Sequence, residues 1–275
     1  MRLATARTSA GTRAIRIEGD RAIDLGFTDL RSLMEQPDWF ARASVQGEEV
    51  EVDSYAPVVP EPSKIICVGL NYRNHILEMG RDLPQYPTLF AKYADTLIGS
   101  TDDIVRPAET AQFDWECELA VVIGRTVRRG DEAGAARAIA GFSVINDITC
   151  RDWQFRTREW LQGKNWEATT PLGPWLVTPD ELPGGVRPTC EIRTEIDGET
   201  VQKDNTADLL FDPVALVAYV STMITLRPGD VIATGTPGGV GHARTPARYL
   251  SAGQTVVTEI AGIGRCTNRV VQDRS

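Results

Sequence analysis

The sequence predicts an α+β fold in which β-strands dominate. Short apolar segments typical of strands outnumber the helical segments, and the two kinds do not alternate regularly along the chain. Regular alternation would instead have indicated a parallel sheet covered by helices. Loops rich in Gly and Pro separate the expected strands, which are IICVGL, LAVVIG, FSVIND, WLVT, CEIRTEID, VIATGT and TVVTEI.

The first part of the chain, residues 1–55, is predicted to be a small β-containing domain. The segment RAIRIEGDRAIDLG is typical of a hairpin that turns near Gly19, and a short helix is expected at Leu30–Met34. Three prolines lie within the ten residues from Tyr55 to Lys64, which is typical of a stiff, extended connector. Residues 56–275 are predicted to form a second, larger domain.

Two longer helices are expected in the second domain. Residues 131–141, DEAGAARAIAG, carry acidic residues in the first turn and end on Gly141, which is expected to stop the helix. The segment DPVALVAYVSTMITL begins with Asp212 as N-cap and Pro213 as first helical residue, and it ends before the turn sequence RPGD. Both helices are therefore bounded by residues that favour helix ends.

Charge and composition exclude several kinds of partner. The 275 residues include 29 Lys and Arg against 38 Asp and Glu, a net charge of −9 that disfavours nucleic acid or an anionic membrane as main partner. No apolar segment approaches the ~18 residues of a membrane helix. Five scattered cysteines without a C-x-x-C pair indicate reduced thiols, and hence a cytoplasmic protein. The Arg-rich start has the composition of a transit peptide, but it continues into the expected hairpin and is interpreted as a first strand.

Carboxylates cluster at the ends of two expected strands. Glu116 and Glu118, in FDWECELAVVIG, are two residues apart and would share one face of a strand. Asp147 ends the strand-like segment FSVIN. Three such carboxylates are hard oxygen ligands that suit Mg²⁺, Mn²⁺ or Ca²⁺, whereas zinc prefers nitrogen and sulfur ligands. The alternative is an edge strand whose acidic face is simply exposed to water.

One candidate proton carrier lies in VGLNYRNHILEMG. His75 and Glu78 are three residues apart, so on a helical turn the carboxylate would lie beside the imidazole and favour its protonated form. The chain has only two histidines, and the other, His242, has no carboxylate close in sequence. The alternative is a surface helix with an incidental His–Glu pair.

Two further segments contain groups that bind anions. The glycines of ATGTPGGVG, residues 233–241, would let backbone N–H groups approach an anion, although the segment matches neither a P-loop nor a dinucleotide fingerprint. A strand-to-loop corner is the alternative there. Arg151, Gln154 and Lys164, in RDWQ and GKNW, could neutralise a substrate carboxylate or a developing oxyanion. The alternative for those three is a solvated loop.

Taken in order along the chain, these segments resemble the fumarylacetoacetate hydrolase superfamily. The resemblance extends from about Lys64 to Arg269, and the segments that carry it are VGLNYRNHILEMG, PTLFAKYADTLIG, FDWECELAVVIG, NDITCRDWQ, GKNW and DVIATGTPGGVG. It implies a mixed β-sandwich roll core preceded by a small N-terminal domain, with residues 56–275 as the catalytic domain. It also implies a homodimer.

The resemblance further implies roles for individual residues. The expected ligands of Mg²⁺ or Mn²⁺ are Glu116, Glu118 and Asp147. The expected catalytic residues are His75, Glu78 and Lys164. The expected substrate contacts are Arg151, Gln154 and Thr236.

The implied reaction is metal-dependent hydrolysis of a C–C bond in a small anionic oxo acid. A 2,4-dioxo acid of the acylpyruvate, fumarylpyruvate or fumarylacetoacetate type would chelate the cation, and His75 would activate a water that attacks the 4-carbonyl. The carbanion would leave as an enolate stabilised by the cation. Relatives that decarboxylate oxaloacetate or isomerise a dienoic oxo acid use the same enolate, so those reactions are alternatives. A noncatalytic metal-binding protein is a further alternative.

Overall fold

The computed structural model describes residues 1–78, 80 and 82–274, with Glu78 described by its backbone alone. The strands are β1 (Arg2–Thr8), β2 (Gly11–Glu18), β3 (Arg21–Asp24), β4 (Ser54–Tyr55), β5 (Ile65–Gly69), β6 (Thr88–Lys92), β7 (Leu97–Ile98), β8 (Ile104–Arg106), β9 (Phe113–Asp114), β10 (Cys117–Ile123), β11 (Ile139–Asn146), β12 (Thr149–Cys150), β13 (Thr170–Val177), β14 (Glu191–Ile196), β15 (Glu199–Asn205), β16 (Val231–Ala233), β17 (Thr255–Ile260) and β18 (Gly264–Gln272). The α-helices are α1 (Leu30–Met34), α2 (Trp39–Arg42), α3 (Arg73–Glu78), α4 (Glu132–Ala138), α5 (Arg151–Gln154), α6 (Leu161–Lys164) and α7 (Pro213–Met223).

The strands form one large sheet and two smaller ones, so the prediction of a mainly β, α+β fold is confirmed. The large sheet runs in the order β3-β2-β1-β13-β11-β10-β16-β5-β6, with β4 added beside β1 and β7 beside β13. A five-stranded sheet has the order β15-β14-β17-β18-β8, and β9 pairs with β12. Because β1 pairs with β13, the N-terminal strands extend the large sheet. A domain boundary near residue 55 stays a prediction.

The centre of the large sheet is the antiparallel pair of β10 and β11, and every residue of both strands is buried. On β10, Leu119, Val121 and Ile123 pack into a core that also contains residues of α4, α7 and the five-stranded sheet. Ala120 and Val122 pack on the opposite face, in a core shared with α1 and α2. Burial on both faces explains why this strand is an unbroken apolar run, without the alternation of a half-exposed strand.

The helix predictions are confirmed for α1 and α7. The carboxylate of Asp212 accepts hydrogen bonds from the backbone N–H groups of Val214 and Ala215, as an N-cap should. The predicted end of the helix at Gly141 is wrong, because α4 ends at Ala138 and Ile139 already begins β11. Gly141 instead lets β11 approach β13 closely, because a Cβ atom at this position would lie 2.3 Å from the carbonyl oxygen of Val177 on β13.

Candidate metal centre and active site

The three predicted metal ligands meet where β10 begins and β11 ends. Cys117 on β10 pairs with Asn146 on β11, which places Glu116 and Glu118 beside Asp147. One carboxylate oxygen from each of the three residues can be chosen so that all lie within 4.8 Å of one another. Glu116 is 7% exposed, Glu118 1% and Asp147 0%, so the alternative of a wet acidic edge strand is excluded.

Two lysines lie against this carboxylate cluster. The ammonium group of Lys164, at the end of α6, lies 2.7 Å from Glu116 Oε2 and 2.7 Å from Asp147 Oδ2. Lys92, the last residue of β6, lies 2.9 Å from Asp147 Oδ1 and also donates to the backbone carbonyls of Lys164 and Ile148. Both lysines are buried. They therefore hold Asp147 from two sides.

An arginine and a fourth carboxylate complete the cluster. Arg151 donates from its Nε atom to Asp114 Oδ2 at 2.8 Å, and its Nη2 atom lies 2.7 Å from Glu116 Oε1. Asp114 also accepts hydrogen bonds from the backbone N–H groups of Gly241 and His242. Arg151 and Asp114 thus connect Glu116 to the glycine-rich segment that follows β16.

Burial and neighbouring charges shift the pKa values in this cluster. Burial raises the pKa of Asp147, but the positive charges of Lys164 and Lys92 outweigh it and lower that pKa to about 2. Burial acts to lower the pKa of Lys164, yet Asp147 and Glu116 raise it above its usual range, so Lys164 remains an ammonium. For Glu118, burial and the repulsion of Asp147 and Glu116 raise the pKa well above its usual range.

Glu118 differs from the other two predicted ligands in its partners. It makes no salt bridge with any residue that the structure describes, and its Oε2 accepts a hydrogen bond from the backbone N–H of Gly235 at 2.7 Å. Among the described residues, the cluster holds four buried carboxyl groups beside three buried cations, so one carboxyl group has no counter-charge there.

The residues of the cluster fit a divalent cation. The available donors are carboxylate oxygens, the hard ligands that Mg²⁺ and Mn²⁺ prefer. Each oxygen that already accepts a bond from a lysine or arginine has a further lone pair. A cation held by Glu116, Glu118 and Asp147 would supply the counter-charge that Glu118 lacks, and its identity stays a prediction.

A cavity of about 260 Å³ opens above the carboxylates. Glu116, Glu118, Lys164, Arg151, Gln154 and Thr236 line it, together with His75 from α3. The structure therefore brings eight of the nine predicted site residues to one place, since Asp147 lies directly against Glu116 and Lys164. The ninth, Glu78, is the last residue of α3, and its side chain lies outside the part that the structure describes. The His75–Glu78 pair stays a prediction.

The predicted substrate contacts are themselves held in place. Gln154 Oε1 accepts a hydrogen bond from Arg151 Nη1 at 3.0 Å. The hydroxyl of Thr236 donates to the carbonyl of Cys117 and accepts from Gln202 Nε2 at 2.8 Å. Gln202, on β15, is buried and also donates to the carbonyl of Pro237. Their roles toward a substrate stay predictions.

Sequence reasoning missed three residues of this site, namely Lys92, Asp114 and Gln202. Two of them left a signal in the sequence. Lys92 ends the apolar strand-like run TLFA, and Asp114 lies two residues before Glu116 in the same segment. Charged residues at strand ends beside a predicted cluster could have been tested as its partners. Gln202 left none, because it lies in the polar run ETVQKDN.

We expect Lys92→Met to destabilise the protein by about 2–3 kcal/mol. The substitution keeps much of the side-chain volume but removes the buried positive charge that lies beside Asp147. Loss of one partner of a buried ion pair costs about 3–5 kcal/mol when nothing replaces it. Lys164 remains beside Asp147 and should reduce that cost. Urea denaturation would measure the change in the free energy of unfolding.

Lys203→Met is the matched control for this variant. Lys203 pairs with Glu191 at 3.1 Å on the surface, with 63% of its side chain exposed, so its loss should cost less than about 1 kcal/mol. Equal effects of the two substitutions would contradict a structural role for Lys92 at the carboxylate cluster.

Comparison with known proteins identifies the family of the chain. Residues 64–271 match the family described as the fumarylacetoacetate (FAA) hydrolase C-terminal domain. The chain belongs to the fumarylacetoacetate hydrolase family. The match covers the carboxylate cluster, the cavity and every predicted site residue, so the family resemblance inferred from the sequence is confirmed.

Three relatives illustrate the range of reactions in this family. A human mitochondrial oxaloacetate tautomerase is 41% identical over 225 residues, which is 80% of this chain and 70% of that protein. The crystal structure of a 5-carboxymethyl-2-hydroxymuconate delta-isomerase from Mycobacterium smegmatis is 32% identical, with a TM-score of 0.83 over 99% of this chain and 100% of that one. A maleylpyruvate hydrolase from Sphingobium, solved with manganese(II) and pyruvate, is 27% identical with a TM-score of 0.82 and full coverage of both chains.

The fumarylacetoacetate hydrolase family is a family of enzymes, and it includes hydrolases, isomerases and tautomerases. The carboxylate cluster of this chain and the manganese(II) ion of the Sphingobium enzyme agree with binding of a divalent metal. No helix in the described part of the chain has the length and hydropathy of a membrane span. The homodimer and the cytoplasmic location stay predictions, and the name of the human relative places that protein in mitochondria.

Proposed function

We propose that the chain is a divalent-metal-dependent hydrolase that cleaves a C–C bond in a 2,4-dioxo acid. One observation carries the proposal: the cavity that His75 lines is also lined by two carboxylates of a metal-type cluster and by the ammonium group of Lys164. These are the groups that water activation, chelation of an oxo acid and stabilisation of an oxyanion require. The cavity brings together residues from α3, α6 and the start of β10.

The residues of the chain divide into those that hold the substrate and those that move protons. A Mg²⁺ or Mn²⁺ ion at Glu116, Glu118 and Asp147 would supply Lewis-acid polarisation of the 2-oxo group and stabilise negative charge on the enolate side of the substrate. Arg151, Gln154 and Thr236 orient the acid end of the substrate in the cavity. His75 lines the same cavity, where its role is to activate the water that attacks the 4-carbonyl.

The bond changes follow from this arrangement. His75 takes a proton from water, and the water oxygen bonds to C4 of the substrate. Lys164, which its carboxylate partners keep protonated, donates a hydrogen bond to the oxyanion that forms on the C4 oxygen. The C3–C4 bond then breaks, and its electron pair passes to C3 as an enolate. Proton return from His75 to C3 yields a 2-oxo acid, while C4 leaves in a carboxylic acid.

A second candidate is keto–enol tautomerisation of an oxo acid such as oxaloacetate. The observation that favours it is the name of the human relative, which is 41% identical over most of this chain. Tautomerisation needs the same enolate but no attacking water, so the carboxylate cluster and Lys164 would serve both reactions. Isomerisation of a dienoic oxo acid and decarboxylation of oxaloacetate share that requirement.

A substrate comparison with product identification tests the proposal. We expect metal-stripped protein to be inactive, and addition of Mg²⁺ or Mn²⁺ to restore conversion of acetylpyruvate to pyruvate and acetate, followed by loss of ultraviolet absorbance and by proton NMR. The enol form of oxaloacetate should be tested in parallel. Rapid enol-to-keto conversion without any acetate from acetylpyruvate would favour the tautomerase over the hydrolase. Full hydrolysis by metal-stripped protein would contradict the metal dependence.

A further inference from the structure

We propose that this site prefers a 2,4-dioxo acid whose acyl group is uncharged, apolar and about the size of one aromatic ring. The inference rests on the proposed function for the acid end of the substrate. The preference for an apolar acyl group is supported by the part of the cavity lining that lies away from the carboxylate cluster.

The charged groups of the cavity are concentrated at the carboxylate cluster. Lys164 contacts two carboxylates and Arg151 contacts two, so both cations are engaged at the metal end. The other basic residues among the described lining are the histidines His75 and His242. A second carboxylate on the substrate would therefore find no unpaired lysine or arginine in the described lining.

The rest of the lining is apolar, and three of its side chains are aromatic. Residues from the end of β5, from β6 and from three loops contribute, and they are Val68, Leu70, Phe90, Phe155, Trp160 and Val240. Apolar side chains of this kind favour burial of a hydrocarbon group over a charged one, because an ion loses its hydration there without a partner. The volume of about 260 Å³ lies just below the usual range for drug-sized ligands, which fits a short acid with one ring.

Packing holds one side of this apolar region in place. The ring of Trp160 lies so close to the backbone of Gly69 that a Cβ atom there would be 2.4 Å from it. The same indole packs edge-on against Phe90, with the ring centroids 5.4 Å apart. Trp160 is therefore positioned by both β5 and β6, and only glycine at position 69 leaves room for it.

Phe155 and His242 form the outer part of the lining. Their ring centroids are 5.2 Å apart, and His242 Nδ1 lies 3.0 Å from the hydroxyl of Tyr249. The backbone N–H of His242 donates to Asp114, which also accepts from Arg151. Phe155 is 55% exposed, so an apolar acyl group that covers its ring would remove that surface from water.

Inert oxalate analogues test this preference without turnover. Binding of oxamate, N-phenyloxamate and N-oxalylglycine to the Mg²⁺-loaded protein would be measured by titration calorimetry. All three compounds share the same acid end. Oxamate carries no further substituent, N-phenyloxamate carries a phenyl ring, and N-oxalylglycine carries a second carboxylate. We expect N-phenyloxamate to bind at least tenfold more tightly than either of the others. Equal or tighter binding of N-oxalylglycine, or no measurable binding of N-phenyloxamate, would overturn the proposal.

Substitutions in the cavity lining test which residues produce the preference for N-phenyloxamate. Phe155→Ala should reduce the advantage of N-phenyloxamate over oxamate by about tenfold, and Gly69→Ala should also reduce it by displacing Trp160. Phe40→Ala is the matched control, because Phe40 is 45% exposed on α2 and does not line the cavity. An advantage unchanged in Phe155→Ala and in Gly69→Ala, with native circular dichroism, would contradict the proposal.

The same measurements separate this inference from the proposed function. If no dioxo acid is hydrolysed but N-phenyloxamate keeps its advantage through Phe155, hydrolysis is wrong and the apolar preference stands. If acetylpyruvate is hydrolysed but benzoylpyruvate has no higher kcat/KM and N-phenyloxamate has no advantage, the function stands and the preference is wrong.

Discussion

Glu118→Gln should abolish binding of divalent cations and reduce turnover to the level of EDTA-treated protein. An amide is a weaker ligand than a carboxylate and carries no charge to balance that of the cation. Among the three predicted ligands, Glu118 is the one without a salt bridge to the described residues, so its charge should contribute most to binding of a cation. The variant keeps an oxygen that can accept the hydrogen bond from Gly235.

Thermal denaturation separates loss of the ligand from loss of the fold. In the absence of metal, Glu118→Gln should be at least as stable as the unaltered protein, because it removes a buried carboxylate that Asp147 and Glu116 repel. The unaltered protein should gain stability with increasing Mg²⁺ or Mn²⁺, and the variant should not. Glu191→Gln, a surface variant, is the control and should respond to metal normally. Metal binding of normal affinity by Glu118→Gln would exclude Glu118 as a ligand.

His75→Ala should lower kcat for hydrolysis of a dioxo acid by roughly 10²–10⁴, the usual contribution of a general base. The affinity for Mg²⁺ should stay close to normal, because His75 is not a member of the carboxylate cluster. Steady-state kinetics with acetylpyruvate would measure the first effect, and the metal-dependent shift in melting temperature would measure the second.

The second histidine of the cavity provides the comparison for His75→Ala. The factor by which His242→Ala lowers kcat should be at least ten times smaller than the factor for His75→Ala. The reason is that His242 lies in the outer part of the lining, beside Phe155. If His75→Ala lost hydrolysis but still converted enol oxaloacetate, the two reactions would share the metal and not the activated water. Undiminished hydrolysis by His75→Ala would exclude His75 as the base.

The strands and the carboxylates of the site were accessible to sequence reasoning for a physical reason. A strand buried on both faces must be apolar along its length, so LAVVI at β10 was recognisable, and carboxylates directly before or after such strands are conspicuous. Helix α7 was recognisable because its N-cap and first-turn proline act locally.

Elements that depend on a distant partner were not accessible in this way. The sequence signals predicted a helix through residue 141, but Ile139 pairs with Ile123 on β10, and this sheet pairing ends the helix at Ala138. The pairing of β1 with β13, which joins the N-terminal strands to the large sheet, left no signal in the sequence either, and the domain boundary near residue 55 stays a prediction. Both outcomes depend on contacts between residues far apart in sequence.

By itself the sequence determined the mainly β fold, the family and a set of acidic, basic and histidine residues with the chemistry of a metal site. Only the tertiary structure decided how those charges are matched. Lys92, Lys164 and Arg151 reach the cluster from three separate elements, and Asp114 links it to the backbone at His242. The tertiary structure also decided that apolar side chains form most of the lining away from the carboxylate cluster. Electrostatic energy and burial depend on distances between side chains, and the folded chain sets those distances between residues that are remote in sequence.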